Sequence, residues 1–311
     1  MSIDRVATNS QSQFLIQEMM QAQSSLNTTD QQVSTGMIAN TYGGYGDKAA
    51  LLEAARSAQN RANSYQSATT LALTQSDLQN TQLTQLSSIA QQLQQDISEA
   101  VANNDGSSLM TQAGGLYQQA EQILNSQDAN GNYIYGGDKN NAPPLTTNSL
   151  SDLGTLGSVS QAFANGSKAT SVRVADGETV QVGVLASNVG TGIMQVLKDL
   201  VDYTNANGGL TTNMTSAQSN FLSGEIGSAS TAAQGVNAAT AANGNVYDQL
   251  QSASDQQQSM STLYQGFVSN LQDVDMSTAI TQLNQNQVAL QASEEVTSQL
   301  NKTSLLNYLT G

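Results

Sequence analysis

Residues Val246–Val274 read VYDQLQSASDQQQSMSTLYQGFVSNLQDV, and their spacing decides the fold class. Val246, Leu250, Ala253, Gln257, Met260, Tyr264, Phe267, Leu271 and Val274 succeed one another at unbroken steps of four and three residues. That alternation holds one side of an α-helix against a partner helix along its whole length, the seam of a coiled coil. The same spacing recurs near the N-terminus in Leu15, Met19, Ala22, Leu26, Thr29 and Val33. It stops at Ser34-Thr35-Gly36, where the glycine suits a helix C-cap. Tyr42-Gly43-Gly44-Tyr45-Gly46 then reads as a flexible loop, and Asp47 stands where it can cap the next helix.

From Lys48 to about Ala102 there is neither Pro nor Gly. A narrow apolar stripe opens with Ala49, Leu52, Ala55, Ala58, Ala62 and Tyr65, continues through Leu71 and Leu78, and closes with Leu86, Ile89, Leu93, Ile97 and Ala100. As one helix the segment extends about 80 Å at ~1.5 Å per residue, a length typical of rod-like assemblies. Asn103-Asn104-Asp105-Gly106 breaks it, and a second helix is predicted over 107–126.

The middle of the chain changes character. Asn132-Tyr133-Ile134-Tyr135-Gly136 reads as a strand, and Pro143-Pro144 with the Ser-, Gly- and Asn-rich stretch after it reads as loop. Val172 and Val174, then Val180, Val182 and Val184, alternate with other residues around Asp176-Gly177, which predicts a β-hairpin. A short helix over 193–203 leads back out. The C-terminal stretch carries two apolar stripes, Met276-Ile280-Leu283-Leu290 and Val288-Ala292-Val296-Leu300. Two stripes on one helix call for two neighbours, and the second is predicted to be another copy of the chain.

The predicted fold is mainly α with a β-rich insert. Both termini build a long antiparallel helical hairpin, a coiled-coil rod, with a small β domain at its tip. The expected divisions are an N-terminal coiled-coil arm 1–42 pairing with the C-terminal arm 276–311, a first half of the rod 43–137, an outer insert 138–192, and a return half 193–275. The rod seam within one chain is assigned to Leu86, Ile89, Leu93, Val246, Leu250, Met260, Tyr264, Phe267 and Leu271. The assembly interface is assigned to Leu15, Met19, Leu26, Val33, Met276, Ile280, Leu283, Leu290, Val296, Leu300, Leu305 and Leu306.

Composition excludes most chemistry. The 311 residues contain no Cys, His or Trp and two Pro. Without Cys there is no disulfide framework, thiol nucleophile or thiolate metal site. Without His the commonest general base is missing, and no Ser-His-Asp arrangement can form. Asp128-Ala129-Asn130-Gly131-Asn132 lacks the glycine and glutamate positions of a calcium loop, so it reads as a turn. Glu294-Glu295 and Asp273-Val274-Asp275 diverge around a helix and read as solvated or capping charges. Neither an enzyme nor a cofactor or metal site is expected. A net charge of −15 with only nine basic residues argues against nucleic acid. No apolar run reaches the roughly 18–20 residues of a membrane span, and Phe14-Leu15-Ile16 makes no secretory h-region, which by itself reads as cytosolic.

Taken in order, these segments resemble the bacterial flagellin superfamily, and within it the hook-associated protein 3 type that joins hook to filament. Val33-Ser34-Thr35-Gly36-Met37-Ile38 is similar to the family's signature ahead of the second long helix. Asp128-Ala129-Asn130-Gly131-Asn132-Tyr133-Ile134-Tyr135-Gly136-Gly137 is similar to the run of the junction proteins. In the return arm Gly244 and Leu250, then Leu271-Gln272-Asp273-Val274-Asp275-Met276, match the spacing and the acidic hinge of the group. Ser304-Leu305-Leu306-Asn307-Tyr308-Leu309 matches its short apolar finish. The resemblance covers about 1–137 and 190–311. It implies a structural subunit whose termini fold together on assembly, which partners itself, other hook-associated proteins and flagellin, and which an export chaperone can hold. It also implies export through the flagellar channel without a cleaved signal peptide, and so an extracellular location, reversing the cytosolic reading. The rival readings are a filament-forming flagellin and a surface adhesin using the middle domain. The run to Gly137 favours the junction type, and 138–192 lacks the Trp or Tyr that a sugar platform wants.

Overall fold

The computed structural model describes residues 2–309, with side chains described for residue 10 and residues 13–299. Helix α1 spans Ser2–Thr35, α2 Ala49–Asn103, α3 Leu109–Leu124 and α4 Leu150–Thr155. The antiparallel hairpin of β1 (Ser171–Ala175) and β2 (Glu178–Gln181) follows, then α5 (Ala186–Asn207), α6 (Ser216–Gln272) and α7 (Met276–Leu309). The fold is thus mainly α-helical with one small two-stranded sheet. Contacts divide the chain into two units, Met1–Arg61 with Met260–Gly311, and Ala62–Ser259. Among the described residues no helix is long and apolar enough to cross a membrane.

The unit Ala62–Ser259 contains the main core. Leu83, Leu86, Leu93 and Ile97 of α2 meet Leu109, Leu116, Tyr117 and Leu124 of α3, Ile193, Leu197 and Leu200 of α5, and Leu222 of α6. Residues 138–192 do not carry a core of their own. Leu145, Leu153, Val159 and Ala162 are buried in the same cluster as the helices. Tyr117 fixes that stretch by donating its hydroxyl to the Thr147 carbonyl at 2.7 Å, and burial pushes the phenol up to about 12. Helix α4 opens on a reciprocal cap, in which Ser149 Oγ accepts from the Asp152 N–H at 3.2 Å and Asp152 accepts from the Asn148 N–H.

The hairpin forms where alternation and the Asp176-Gly177 turn predict it, with Val172 opposite Val180 and Gly177 at φ 78°. Its inner residues Val174 and Val180, with Val182 just beyond, pack on Ala72 of α2 and Leu250 of α6. Tyr65 of α2 reaches the turn, donating to Asp176 at 2.7 Å, and Arg173 stands 5.7 Å from the centre of the Tyr65 ring. A two-stranded ribbon is too small to stand alone, and the helices supply the face it lacks.

Several expectations need correction. The short helix expected over 193–203 is the 22-residue α5, and the loop expected at 42–46 is a 3-10 helix over Tyr42–Lys48. Residues 132–136 are not a strand. A turn closes over them instead, with the Gly136 N–H donating to the Tyr133 carbonyl at 3.1 Å, and Tyr133 makes only an isolated bridge with Gln127. Gly136 shows why: a Cβ there would sit 2.8 Å from both Asn140 Cα and the Lys139 carbonyl, so the chain folds back through a space that only glycine leaves. Next, Leu71 and Leu78 do not continue the inner stripe of α2; they are 69% and 43% exposed. The inward line runs through Ala62, Thr69, Ala72, Ser76, Gln79 and Leu83, one residue or ~100° away from each leucine. Small and amide side chains hold that line because they pair across it: Ser76 Oγ donates to Asn243 Oδ1 at 3.1 Å, and Asn243 Nδ2 to the Ser76 carbonyl at 2.8 Å. Finally, Phe267 is 50% exposed and does not belong to the seam of α6; Val268 is the more buried neighbour.

Candidate assembly interface

The two motifs at the ends of the seams are brought together. Gly36, at φ 72°, ends α1 in the left-handed region and turns the chain toward the end of α6. There Met37 bridges Asp273, Ile38 N–H donates to the Gln272 carbonyl at 2.7 Å, and Val274 N–H donates to the Gly36 carbonyl at 2.9 Å. Asp275 then caps α7, accepting from the N–H groups of Ser277 at 2.9 Å and Thr278 at 3.2 Å. The Thr278 N–H holds the Asp275 carboxyl below its usual value. Asp273-Val274-Asp275 is therefore a hinge between two helices in which one acid is a cap.

A second clasp lies beside it. Arg56 of α2 donates to the Gln272 side chain and to the Tyr42 hydroxyl at 3.4 Å, with its guanidinium 5.8 Å from the Tyr42 ring centre. Tyr45 is buried and donates to the Ala39 carbonyl at 2.6 Å. Sequence reasoning missed Arg56 because its partner stands 216 residues away and no local pattern links them.

Beyond the hinge α1 and α7 lie side by side. Leu15, Met19, Leu26 and Val33 of α1, with Leu283 and Leu290 of α7, are half-buried. Among the described residues of this stretch only Thr29 and Ala279 are buried, and Asn286 Nδ2 donates to Thr29 Oγ1 at 3.2 Å. Met276, Ile280 and Val296 face solvent at 40%, 46% and 46% exposure, as do Phe14, Met20 and Val288. The residues assigned to one assembly interface thus separate into those near the α1–α7 line and those left exposed. The side chains of Leu300, Leu305 and Leu306 lie outside the described residues.

The residues assigned to the rod seam also separate. Leu86, Ile89 and Leu93 belong to the main core, and Val246 and Leu250 to the cluster beneath the hairpin. Met260, Tyr264 and Leu271 are half-buried. The helices α2 and α6 are linked in the central unit by Ser87 Oγ donating to Asn237 Oδ1 at 2.6 Å, besides the Ser76–Asn243 pair. Gln79, fully buried nearby, has neither side-chain nitrogen nor oxygen paired. Among the described residues no three acidic or other ligand side chains gather to hold a metal ion. The Asp128 carboxylate receives the N–H groups of Asn130 and Asn132 at 2.8 and 2.9 Å. Slight burial works to raise its pKa, and these bonds outweigh it and lower it.

No curated protein sequence matches the chain. Residues 226–309 match the bacterial flagellin C-terminal helical region. A protein described as a flagellar hook-associated protein from Vibrio parahaemolyticus has a similar structure, with TM-score 0.60 and 16% identity over 72% of this chain and 97% of the other. Bacillus cereus FlgL is also similar, with TM-score 0.53 and 13% identity over 70% of this chain and 98% of that one. The chain therefore matches the flagellin C-terminal helical region through α6 and α7, and shares its fold with a solved flagellar hook-associated protein.

Proposed function

We propose that this protein is a structural subunit of the bacterial flagellum at the junction between hook and filament, with a mechanical and not a catalytic task. The observation that carries this reading is the flagellin match over 226–309 set in a fold similar to that of a hook-associated protein. The subunit works outside the cell, and partners copies of itself, other hook-associated proteins and flagellin.

In this reading the 1–42 and 276–311 arms pair and present Met276, Ile280 and Val296 to neighbouring subunits, with Leu300, Leu305 and Leu306 extending that contact. Exposed apolar side chains on a thin two-helix layer favour it, because two helices alone cannot enclose every apolar side chain they carry. The test is electron microscopy of purified, concentrated protein and of cells lacking it. A junction subunit forms no micrometre filaments alone, and its loss leaves hooks without attached filaments. Long filaments of the pure protein would instead make it a filament flagellin.

A further inference from the structure

The sequence contains Asn-Gly at Asn130-Gly131, Asn165-Gly166, Asn207-Gly208 and Asn243-Gly244. Asn-Gly is a reactive pair because glycine has no side chain to shield its N–H from the preceding side-chain amide. The structure treats the four very differently.

Asn165 is locked at both ends. Its Oδ1 accepts from the Ser187 N–H at 3.1 Å, and its Nδ2 donates to the Gly166 carbonyl at 2.9 Å and to Ser187 Oγ at 3.1 Å. The attacking atom is held as well, since the buried Gly166 donates its N–H to the Gly136 carbonyl at 2.8 Å. Asn243 is 3% exposed inside α6, with its amide engaged twice by Ser76. Asn207, by contrast, is the exposed last residue of α5. Gly208 leaves the helix at φ 80°, and the exposed Gly209 follows, its carbonyl accepting from Gln218 Nε2 at 3.3 Å. Leu210 then enters the core, and the Thr211 carbonyl accepts from Gly106 N–H at 3.2 Å. Asn130 is exposed at a turn, and Gly131 beyond it is exposed at φ 81°. The Gly131 N–H donates to the Asp128 carbonyl at 3.0 Å, but that bond lies at the surface and frees the attacking nitrogen without opening any core.

We propose that Asn130 and Asn207 deamidate spontaneously to aspartate and isoaspartate in the folded protein, while Asn165 and Asn243 are protected. The glycine nitrogen loses its proton to solvent and bonds to the asparagine Cγ. The Cγ–Nδ2 bond breaks, and the amide nitrogen leaves as ammonia after taking up a proton. Water then opens the succinimide at either carbonyl, so the net change is asparagine plus water to aspartate, or isoaspartate, plus ammonia, with no redox step.

The two products act differently. At Asn207 the reaction removes the Nδ2 donor that meets the Tyr203 carbonyl at 3.0 Å and sets a negative charge at the C-terminal end of α5, where the helix dipole disfavours it. At Asn130 an isoaspartate lengthens the backbone inside the turn whose N–H groups Asp128 receives.

The test is peptide mapping by mass spectrometry of the full chain in mildly alkaline buffer, folded and in denaturant. In denaturant all four sites react. In the folded chain Asn165 and Asn243 are expected to slow at least about tenfold relative to the unfolded chain, while Asn130 and Asn207 stay within about threefold, because only the first two need the core to open. Equal protection of all four, or reaction at Asn165 or Asn243 as fast as at the exposed pair, overturns the proposal. Protection of either exposed site overturns its own assignment. Asn130→Gln and Asn207→Gln each remove the mass gain from the corresponding peptide if the assignment holds.

Discussion

The central unit and the α1–α7 pair are built from similar helices and buried to very different depths. In the central unit Leu83, Leu86, Leu93, Leu109, Leu124 and Ile193 are all at or below 1% exposure. Along α1 and α7 the leucines facing the line of contact are only half-buried, and the fully enclosed positions are a threonine and an alanine. The difference is geometric. Four helices and a covering segment surround a side chain, whereas two helices touch it from one side. Burial at ~25 cal/mol per Å² therefore gives the central unit a folding core and leaves the terminal pair with apolar surface to spare. Helices of similar composition thus close a core in one place and leave apolar side chains exposed in the other.

The largest test of that contrast is removal of 276–311. The truncated chain should keep a cooperative thermal transition from the central unit and lose assembly altogether; filament attachment by this truncation would contradict the division of roles. Limited proteolysis of the isolated subunit comes next. Cleavage is expected to concentrate in the first ~40 and last ~36 residues, the behaviour of segments that fold on binding, and full protection of both arms would remove the contrast.

Point substitutions grade the same comparison. Leu86→Ala should cost about 2–5 kcal/mol in denaturant unfolding, because a cavity opens in an enclosed core. Leu26→Ala on the half-buried line should cost about 1 kcal/mol, roughly half the value of full burial. Equal losses would mean that the arm is packed as well as the body.

The smallest effect concerns Glu225 of α6. Burial, then the nearby Asp199 carboxylate of α5, raise its pKa above the ordinary glutamate value, and its Oε2 is buried without a partner. A raised carboxyl pKa means that the folded state holds the proton more tightly than the unfolded one. The ionised group thus opposes folding above its folded pKa, and the penalty fades as pH falls from there to the ordinary value. Glu225→Gln should raise the melting temperature at neutral pH, with a gain that shrinks on acidification. A gain independent of pH would locate the effect in packing.

Much of this architecture was legible in the sequence. The absence of Pro and Gly from 48 to 102 announced α2, which runs Ala49–Asn103. Valines alternating around Asp176-Gly177 announced the hairpin. For the interface, the seam of α1 could be read from spacing alone, but the clasp of Arg56 on Gln272 and Tyr42 could not, since each partner is ordinary where it stands in the sequence.

Sequence by itself determined the helical class, the extent of α2, the turn of the hairpin and the exclusion of Cys- and His-based chemistry, because these depend on local propensity, period and composition. Tertiary structure alone decided which apolar residues face inward. A helix turns ~100° per residue, so Leu71 against Ala72 and Phe267 against Val268 are choices of one step, and hydrophobicity favours the wrong member of the first pair. Packing distance settled it: small residues and the Ser76–Asn243 pair let α2 and α6 come together, and the larger leucines were left outside.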